Sequence, residues 1–268
     1  MNAAQDYSQV PIYLINLERR VDRLTNMQRR LSGLNFTRIS AYDGEKLNPG
    51  LGKNRVISSK LTPYEIGCYL SHETIWQKIM ENNIPIACIL EDDIVLGSDF
   101  PRFMDLSIWQ GLDFDVIKLD NWPRKISVTR KYLNILGRKA HRILSTTYSS
   151  ACYLISNKCA HNLLQASQTI NFTVDVLKFD TAGGWLQKNH VYQLVPSIGT
   201  QEIFISNSPT PSDIEDSRIK ASNASRVERP RGLKKIHREA KRIFRQLAEL
   251  LKFIIDSIKS KRIDVYYE

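Results

Sequence analysis

The sequence predicts an α/β fold, a sandwich of helices on a mainly parallel sheet. Two observations carry that expectation. Short apolar runs of strand length alternate with segments whose apolar residues recur every three or four positions, and the boundaries between them hold cap and turn residues. With 268 residues, 42% hydrophobic and 25% charged, the chain has enough apolar material for one large core or a core plus an appendage.

VPIYLIN, Val10 to Asn16, is the first strand. The following LERRVDRLTNMQRRLSGL puts Leu17, Val21, Leu24, Met27 and Leu31 on one helical stripe that ends before Gly33. FTRISAYDGEKL adds a second strand and a turn at Asp43-Gly44. In LTPYEIGCYLSHETIWQKIMENN, Thr62, Pro63 and Glu65 fit the N-cap, N1 and N3 places of a capping box, predicting a helix from Pro63 to Asn82. Next come the strand IPIACIL, three consecutive carboxylates, a short helix from Phe100 and the strand FDVIKLD. Asn121 to Thr147 reads as a basic, irregular insert. The strand ACYLI, the helix SNKCAHNLLQAS, a helical segment around Asp175 to Lys188 and the strand HVYQLVP follow.

Ile205 to Arg218 is polar, holds two prolines and has no helical or strand period, so it reads as a linker. The chain thus divides into a body, 1–218, and a linker with a helical tail, 219–268. From Gly232 onward Leu233, Ile236, Ala240, Ile243, Leu247, Leu250, Ile254 and Ile258 recur at steps of three and four among Lys and Arg, the pattern of a basic amphipathic helix. Such a helix lies on an anionic membrane surface, packs on its own core or pairs with a partner helix, which leaves a homo-oligomer open.

The net charge of +10 is concentrated there: between Arg226 and Arg262 stand thirteen Lys/Arg against four Asp/Glu. The body is close to neutral, so overall charge is no argument for a nucleic-acid partner, and none is expected. The first residues lack a basic stretch followed by an apolar run, and no segment reaches about 18 uninterrupted apolar residues, so neither a signal peptide nor a membrane span is expected. Cys68, Cys88, Cys152 and Cys159 have no metal-like spacing and read as buried free thiols of a reducing cytoplasm.

The stretch CILEDDIVLG sets Glu91, Asp92 and Asp93 directly after an apolar strand. Like charges at that place repel and resist burial. In an open α/β sheet, ligands collect beyond the carboxyl ends of the strands, and a hard divalent cation such as Mg²⁺ or Mn²⁺ offsets clustered carboxylates while bridging to phosphate oxygens. The competing account is a solvated acidic loop.

INLERRVDR, AYDG, LTPYEIGCYLSH and ILEDDI occur in the order and spacing of glycosyltransferase family 25, and the chain resembles that family through DVIKLD, CYLISNKCAHNLL, TVDV and VPSIGTQ, over about residues 11 to 218. GCYLSH followed at this distance by LEDD is the specific part. The family comprises lipooligosaccharide-biosynthesis and collagen galactosyltransferases. The resemblance implies a GT-A-like nucleotide-sugar-binding sheet flanked by helices, and sugar transfer with inversion assisted by Mn²⁺ or Mg²⁺.

Carried over by position, Glu91-Asp92-Asp93 stands where a DXD-type motif is expected, with Glu in the first place. The resemblance implies Asp93 as metal ligand, Asp92 as the contact to the donor ribose or sugar, and Glu91 as a further donor-binding residue. Asn16, Arg20 and Arg23 would meet nucleotide or diphosphate. Asp43 would hold base or ribose, unless it serves only turn chemistry. His72, Lys118 and Gln201 complete the donor set, each with a structural rival: a core hydrogen-bonder, a strand-end charge and a surface amide. Glu65 reads as a helix cap. Inverting transfer needs a base for the acceptor hydroxyl, and Asp175 in TVDV matches the family's late aspartate, with Asp180 in reserve. Two departures stand out: Ser149-Ser150 where the family often has Gly-Thr, and Thr173-Val174 where it has Pro.

The expected function is transfer of galactose from UDP-galactose to a lipooligosaccharide core sugar, by an enzyme peripheral to the cytoplasmic face of a bacterial inner membrane. The alternatives are a glucosyl- or N-acetylglucosaminyltransferase of the same fold, or a non-catalytic module that binds membrane or nucleic acid through its tail.

Overall fold

Alternation within the strands decides the layering. In β1 (Ile12–Asn16), Ile12 and Leu14 enter one core while Tyr13 and Ile15 enter another, so the strand is buried on both faces. The computed structural model describes residues 8–47, 55–181, 184–205 and 260–268. After β1 come α1 (Val21–Arg30), β2 (Phe36–Ser40), β3 (Val56–Ile57), α2 (Pro63–Glu81), β4 (Ile86–Glu91), β5 (Ile94–Leu96), β6 (Val116–Lys118), β7 (Ile126–Ile135), β8 (Arg138–Ile143) and β9 (Cys152–Ser156). Then follow α3 (Asn157–Ala166), β10 (Thr169–Ile170), α4 (Val174–Phe179), α5 (Trp185–Lys188), β11 (Val191–Val195), β12 (Gly199–Gln201) and β13 (Ser260–Ile263).

Nine strands form the central sheet in the order β13-β7-β8-β11-β6-β9-β4-β1-β2. Strands β2, β1, β4, β6 and β11 share one direction, so Asn16, Glu91 and Lys118 all come to the same edge. The sheet is mixed rather than mainly parallel, because β9 inserts antiparallel between β4 and β6 and an antiparallel hairpin extends the far side. Helix α1 covers one face through Met27, and α2 and α3 cover the other through Trp76, Ile79, Cys159 and Leu163.

The expected elements form with three corrections. Asn121–Thr147 is no irregular insert: it holds β7 and β8, joined by Leu136-Gly137 with φ of 50° and 86°, the positive pair a tight hairpin turn requires. Lys and Arg on its solvent face hid the inward alternation of Ile126 and Val128. The helical segment expected over Asp175 to Lys188 is two short helices, separated by extended Asp180 and by Gly184 at φ 71°. The end of the expected helical tail is the edge strand β13, antiparallel to β7, with Val265 buried beside Ile126 and Val128. An unpaired strand edge is a row of open hydrogen-bonding groups, and β13 covers that of β7. The expected linker beyond Ile205 and most of the amphipathic tail, residues 206–259, lie outside the described residues. Among the described residues no helix is long and apolar enough to cross a membrane.

Helix α2 begins with the predicted capping box: Thr62 accepts from the Glu65 amide and Glu65 accepts from the Thr62 amide at 2.8 Å. It then presses against the Tyr42–Gly44 loop. A Cβ on Gly67 would sit 2.5 Å from the Tyr42 carbonyl oxygen, so only glycine admits this approach. Ser71, one turn on, accepts from the Tyr42 amide at 2.9 Å and donates to the Gly67 carbonyl at 2.7 Å.

Candidate active site

Neighbouring carboxylates at the end of β4 meet opposite surroundings. Asp92 is held on both oxygens: Asn16 Nδ2 donates to Oδ2 at 2.6 Å and Arg23 Nη1 donates to Oδ1 at 3.0 Å. Asn16 is itself fixed, donating to the Arg20 carbonyl and accepting from Arg38 Nε at 3.0 Å. Asp93 accepts from Gln201 Nε2 at 3.2 Å on Oδ2, but its buried Oδ1 has no hydrogen-bond partner. Burial pushes the Asp93 carboxyl up to about 7, with Glu91 adding to the rise and Arg23 opposing it. Burial likewise lifts Glu91 to about 7, against the pull of Lys178.

Glu91 is gripped from inside. His72 Nε2 lies 3.0 Å from Glu91 Oε1, and its Nδ1 lies 2.9 Å from the Tyr153 hydroxyl. Burial, then Lys178, keeps the His72 imidazole neutral, so it carries one N–H. Trp76 Nε1 donates to Tyr153 at 3.2 Å, which turns the tyrosine's own proton to Nδ1 and leaves the imidazole N–H to donate to Glu91. Below them lies Lys178, fully buried, its Nζ without a hydrogen bond and 3.6 Å from the Tyr153 ring centroid. Burial depresses its ammonium to about 7, while Glu91 acts to retain the charge.

A second chain reaches Asp93 from the sheet. Buried Lys118 donates to Asp120 and, at 2.9 Å, to the Ser149 carbonyl; Ser149 Oγ bonds Asp120 and lies 3.0 Å from Gln201 Oε1. Ser149 has φ 73°, the left-handed backbone that favours glycine, at the place where the family often has Gly. Its hydroxyl contacts offset that strain.

Two cavities meet at the triplet. The larger, about 590 Å³, reaches Asp175; the smaller, about 160 Å³, runs past Tyr42, Tyr64 and His72. Arg23, Cys68, Glu91, Asp93 and Gln201 line both. Asp175 sits in the first turn of α4, its Oδ1 accepting from Thr173 Oγ1 at 2.5 Å and the Val176 amide at 2.9 Å. Thr173 thus secures the aspartate at the departure from Pro.

The structure gathers Asn16, Arg23, His72, Glu91, Asp92, Asp93, Asp175 and Gln201 around these cavities and their immediate support. Three predicted residues are elsewhere. Arg20 turns its guanidinium to Asp22 at 2.9 Å, outside both cavities. Asp43 pairs with Arg19 and caps the Glu45 amide at 3.1 Å, the turn role. Lys118 is a buried ion-pair partner of Asp120 rather than a cavity-lining cation. Sequence reasoning missed Lys178, Tyr153 and Asp120. Nothing in a local pattern distinguishes a buried lysine of VDVLKF from a surface one.

The donor set suits a cation. Glu91 and Asp93 offer carboxylate oxygens of the kind such a cation takes, and the buried Asp93 Oδ1 has no partner. Cys68, His72 and Glu91 also bring ligand atoms within 4.8 Å of one another, a softer set suited to zinc. Both His72 nitrogens already serve Tyr153 and Glu91, so the imidazole acts as support.

Comparison with known proteins places the chain in a family. The model of glycosyltransferase family 25 (LPS biosynthesis protein) matches residues 9–178. The lacto-N-neotetraose biosynthesis glycosyltransferase LgtE of Neisseria meningitidis serogroup B is 28% identical over 192 residues, 65% of each chain. Procollagen galactosyltransferase 1-B of Xenopus laevis is 33% identical over 58% of this chain and 28% of its own. The lipooligosaccharide biosynthesis protein lic2B of Haemophilus influenzae is 25% identical over 71% of this chain and 75% of its own. The chain thus spans just under two thirds of LgtE and little over a quarter of the procollagen enzyme. Among solved structures, A197 from STIV aligns with a TM-score of 0.36 at 11% identity over 71% of this chain and 83% of its own, below what carries a fold assignment. The match over residues 9–178, with the acidic triplet and GCYLSH inside it, means that this chain belongs to glycosyltransferase family 25.

Proposed function

We propose that the protein transfers galactose from UDP-galactose to a core sugar of lipooligosaccharide, inverting the anomeric centre. The observation that carries this is the acidic triplet at the junction of two cavities, one carboxylate clamped and the next buried with an unpartnered oxygen. The donor enters from the smaller cavity, beyond the carboxyl ends of β1 and β4. That space is below the ~300–1,000 Å³ of a whole-ligand pocket and suits a single ring, leaving diphosphate and sugar at the triplet.

Asp93 and Glu91 would hold Mn²⁺ or Mg²⁺, which when bound offsets the charge of a departing diphosphate. Asn16 and Arg23 fix the Asp92 carboxylate at the smaller cavity, and His72 holds Glu91 where the two cavities meet. Asp175 uses Oδ1 for Thr173 and Val176, which leaves Oδ2 to accept the proton of the acceptor hydroxyl as it attacks the anomeric carbon. Galactose and lipooligosaccharide are supported by the relatives named procollagen galactosyltransferase and lipooligosaccharide biosynthesis protein.

The basic tail read from the sequence supports attachment to the anionic cytoplasmic face of the inner membrane. Because Ser260–Ile263 is a sheet strand, the test neutralises Lys234, Lys235, Arg238, Lys241, Arg242 and Arg245 to Gln and spares the chain end. Binding to vesicles rich in anionic lipid should fall; unchanged binding removes the idea. Turnover of a UDP-sugar panel with truncated lipooligosaccharide, with Mn²⁺ or a chelator, tests the main proposal. Galactose is expected as the transferred sugar. Preference for another hexose would reassign the donor, and no metal-dependent turnover of any UDP-hexose would overturn the reaction.

A further inference from the structure

The larger cavity carries a wall that the donor does not need. Trp122, in the loop after β6, Tyr148, ahead of β9, and Phe204, after β12, come together from three separate stretches of chain. The Trp122 ring meets Tyr148 at 5.6 Å and 68°, and Phe204 at 5.5 Å and 86°. Steep ring contacts of this kind fix one another's orientation, so the wall is rigid. Arg124 lines the same cavity, is exposed, and makes no side-chain hydrogen bond or ion pair among the described residues. None of these four residues lines the smaller cavity.

We infer that Trp122, Tyr148 and Phe204 form the acceptor subsite, a platform for the apolar face of a pyranose ring, with Arg124 pairing to an anionic substituent of that saccharide. The assignment rests on the glycosyl-transfer proposal above. Because Tyr148 and Phe204 meet Trp122 edge-on, each ring offers its own face, and an aromatic face beside carboxylates matches a sugar, whose C–H face is apolar and whose hydroxyls donate. Asp175, Glu91 and Asp93 line the same cavity, so a ring held by these aromatics shares it with the proposed base and with the triplet. A guanidinium lining this cavity selects a phosphate or carboxylate, which it binds through two parallel hydrogen bonds.

The test measures binding, so that it does not depend on turnover. Titration calorimetry with the full chain uses three probes: UDP, a deacylated lipooligosaccharide core glycan bearing phosphate, and that glycan after phosphatase treatment. Trp122→Ala and Phe204→Ala should each weaken both glycans by about threefold to tenfold, the worth of one aromatic contact, while Trp122→Phe recovers most of the loss. Arg124→Gln should weaken the phosphorylated glycan by about tenfold and leave the dephosphorylated one unchanged, as loss of a charged hydrogen bond requires. UDP affinity should stay within about twofold in all four variants, far from the tenfold that ~1.4 kcal/mol represents. Glycan affinity untouched by these substitutions, or no glycan binding by the parent protein, overturns the subsite. So does a parallel loss of UDP affinity, which would give the wall to the donor. A parent protein that binds glycan through Trp122 but never binds UDP keeps the subsite and removes the UDP-sugar proposal.

Discussion

The two sides of the acidic triplet are built on different terms. Toward β1 and α1 the carboxylates are paired: Asp92 with Asn16 and Arg23, Asp22 with Arg20, Asp43 with Arg19. Toward α2, β9 and α4 the charges are desolvated and incompletely matched: Asp93 with an orphan oxygen, and Lys178 with an ammonium that makes no hydrogen bond and lies against aromatic rings. A paired side is complete in itself and serves as a rigid frame. An unpaired one holds free energy that a charged ligand recovers, which is why such groups mark functional sites.

The sharpest break of that contrast is Asp93→Asn. It removes the charge from the unpaired side while keeping shape, so metal-dependent transfer should fall by about 10²–10³, the scale of one lost charge-stabilising group. Thermal stability should hold or rise, since an uncompensated buried carboxylate has gone. Transfer at the parent rate would refute its assignment as metal ligand. Arg23→Ala does the reverse. It strips Asp92 of a partner at 3.0 Å in a pair whose side chains are 15% and 10% exposed, so the loss should be about 2 kcal/mol, below the ~3–5 of a fully buried pair. A melting temperature lower by roughly 4–8 °C is expected, and an unaltered one would show that the frame does not depend on this contact.

Protonation offers a finer test. Glu91 and Asp93 are both lifted to about 7, so metal affinity should rise as pH climbs through that value and the carboxyls ionise. For the metal-free protein the sign is opposite. The folded state binds protons that the unfolded state has released above its carboxyl pKa near 4, so these groups contribute stability that declines between about pH 4 and 7. Lys178 opposes protonation of Glu91, so Lys178→Met should raise the Glu91 pKa further. The acid limb of the transfer–pH profile should move to higher pH. A limb that stays in place would mean that Lys178 is not felt at the triplet.

What the sequence disclosed follows the same division. The paired side is local: Asn16, Arg23 and Asp92 stand at strand ends or on the next helix turn, where residue type and position are enough to nominate them. GCYLSH was legible as a family motif, but its physics needed coordinates. Gly67 admits Tyr42, Ser71 anchors it, and His72 reaches through the core to Glu91. Lys118 misled because a lysine at a strand end looks solvated, whereas Asp120 lets it be buried. The roles of Lys178, Tyr153 and Ser149 depend on contacts from 25 to 102 positions away, and no local pattern encodes those. The same holds for β13, whose partner strand lies more than a hundred residues earlier.

That last strand provides the smallest and most local test. Val265 is 5% exposed against Ile126 and Val128, and its carbonyl accepts from Asn121 Nδ2 at 3.4 Å, next to Trp122. The chain end therefore supports the loop that carries the aromatic wall, on the opposite side of the sheet from Asn16 and Arg23. Val265→Ala deletes two methyl groups' worth of burial, about 1.6 kcal/mol at 0.8 per carbon. The melting temperature should drop by roughly 3–6 °C. UDP affinity should not change, because β1, α1 and the triplet are remote from the lost contact, whereas glycan affinity should fall slightly as the Trp122 loop loosens. An unchanged melting temperature would detach β13 from the domain, and equal losses for UDP and glycan would erase the distinction between the two sides.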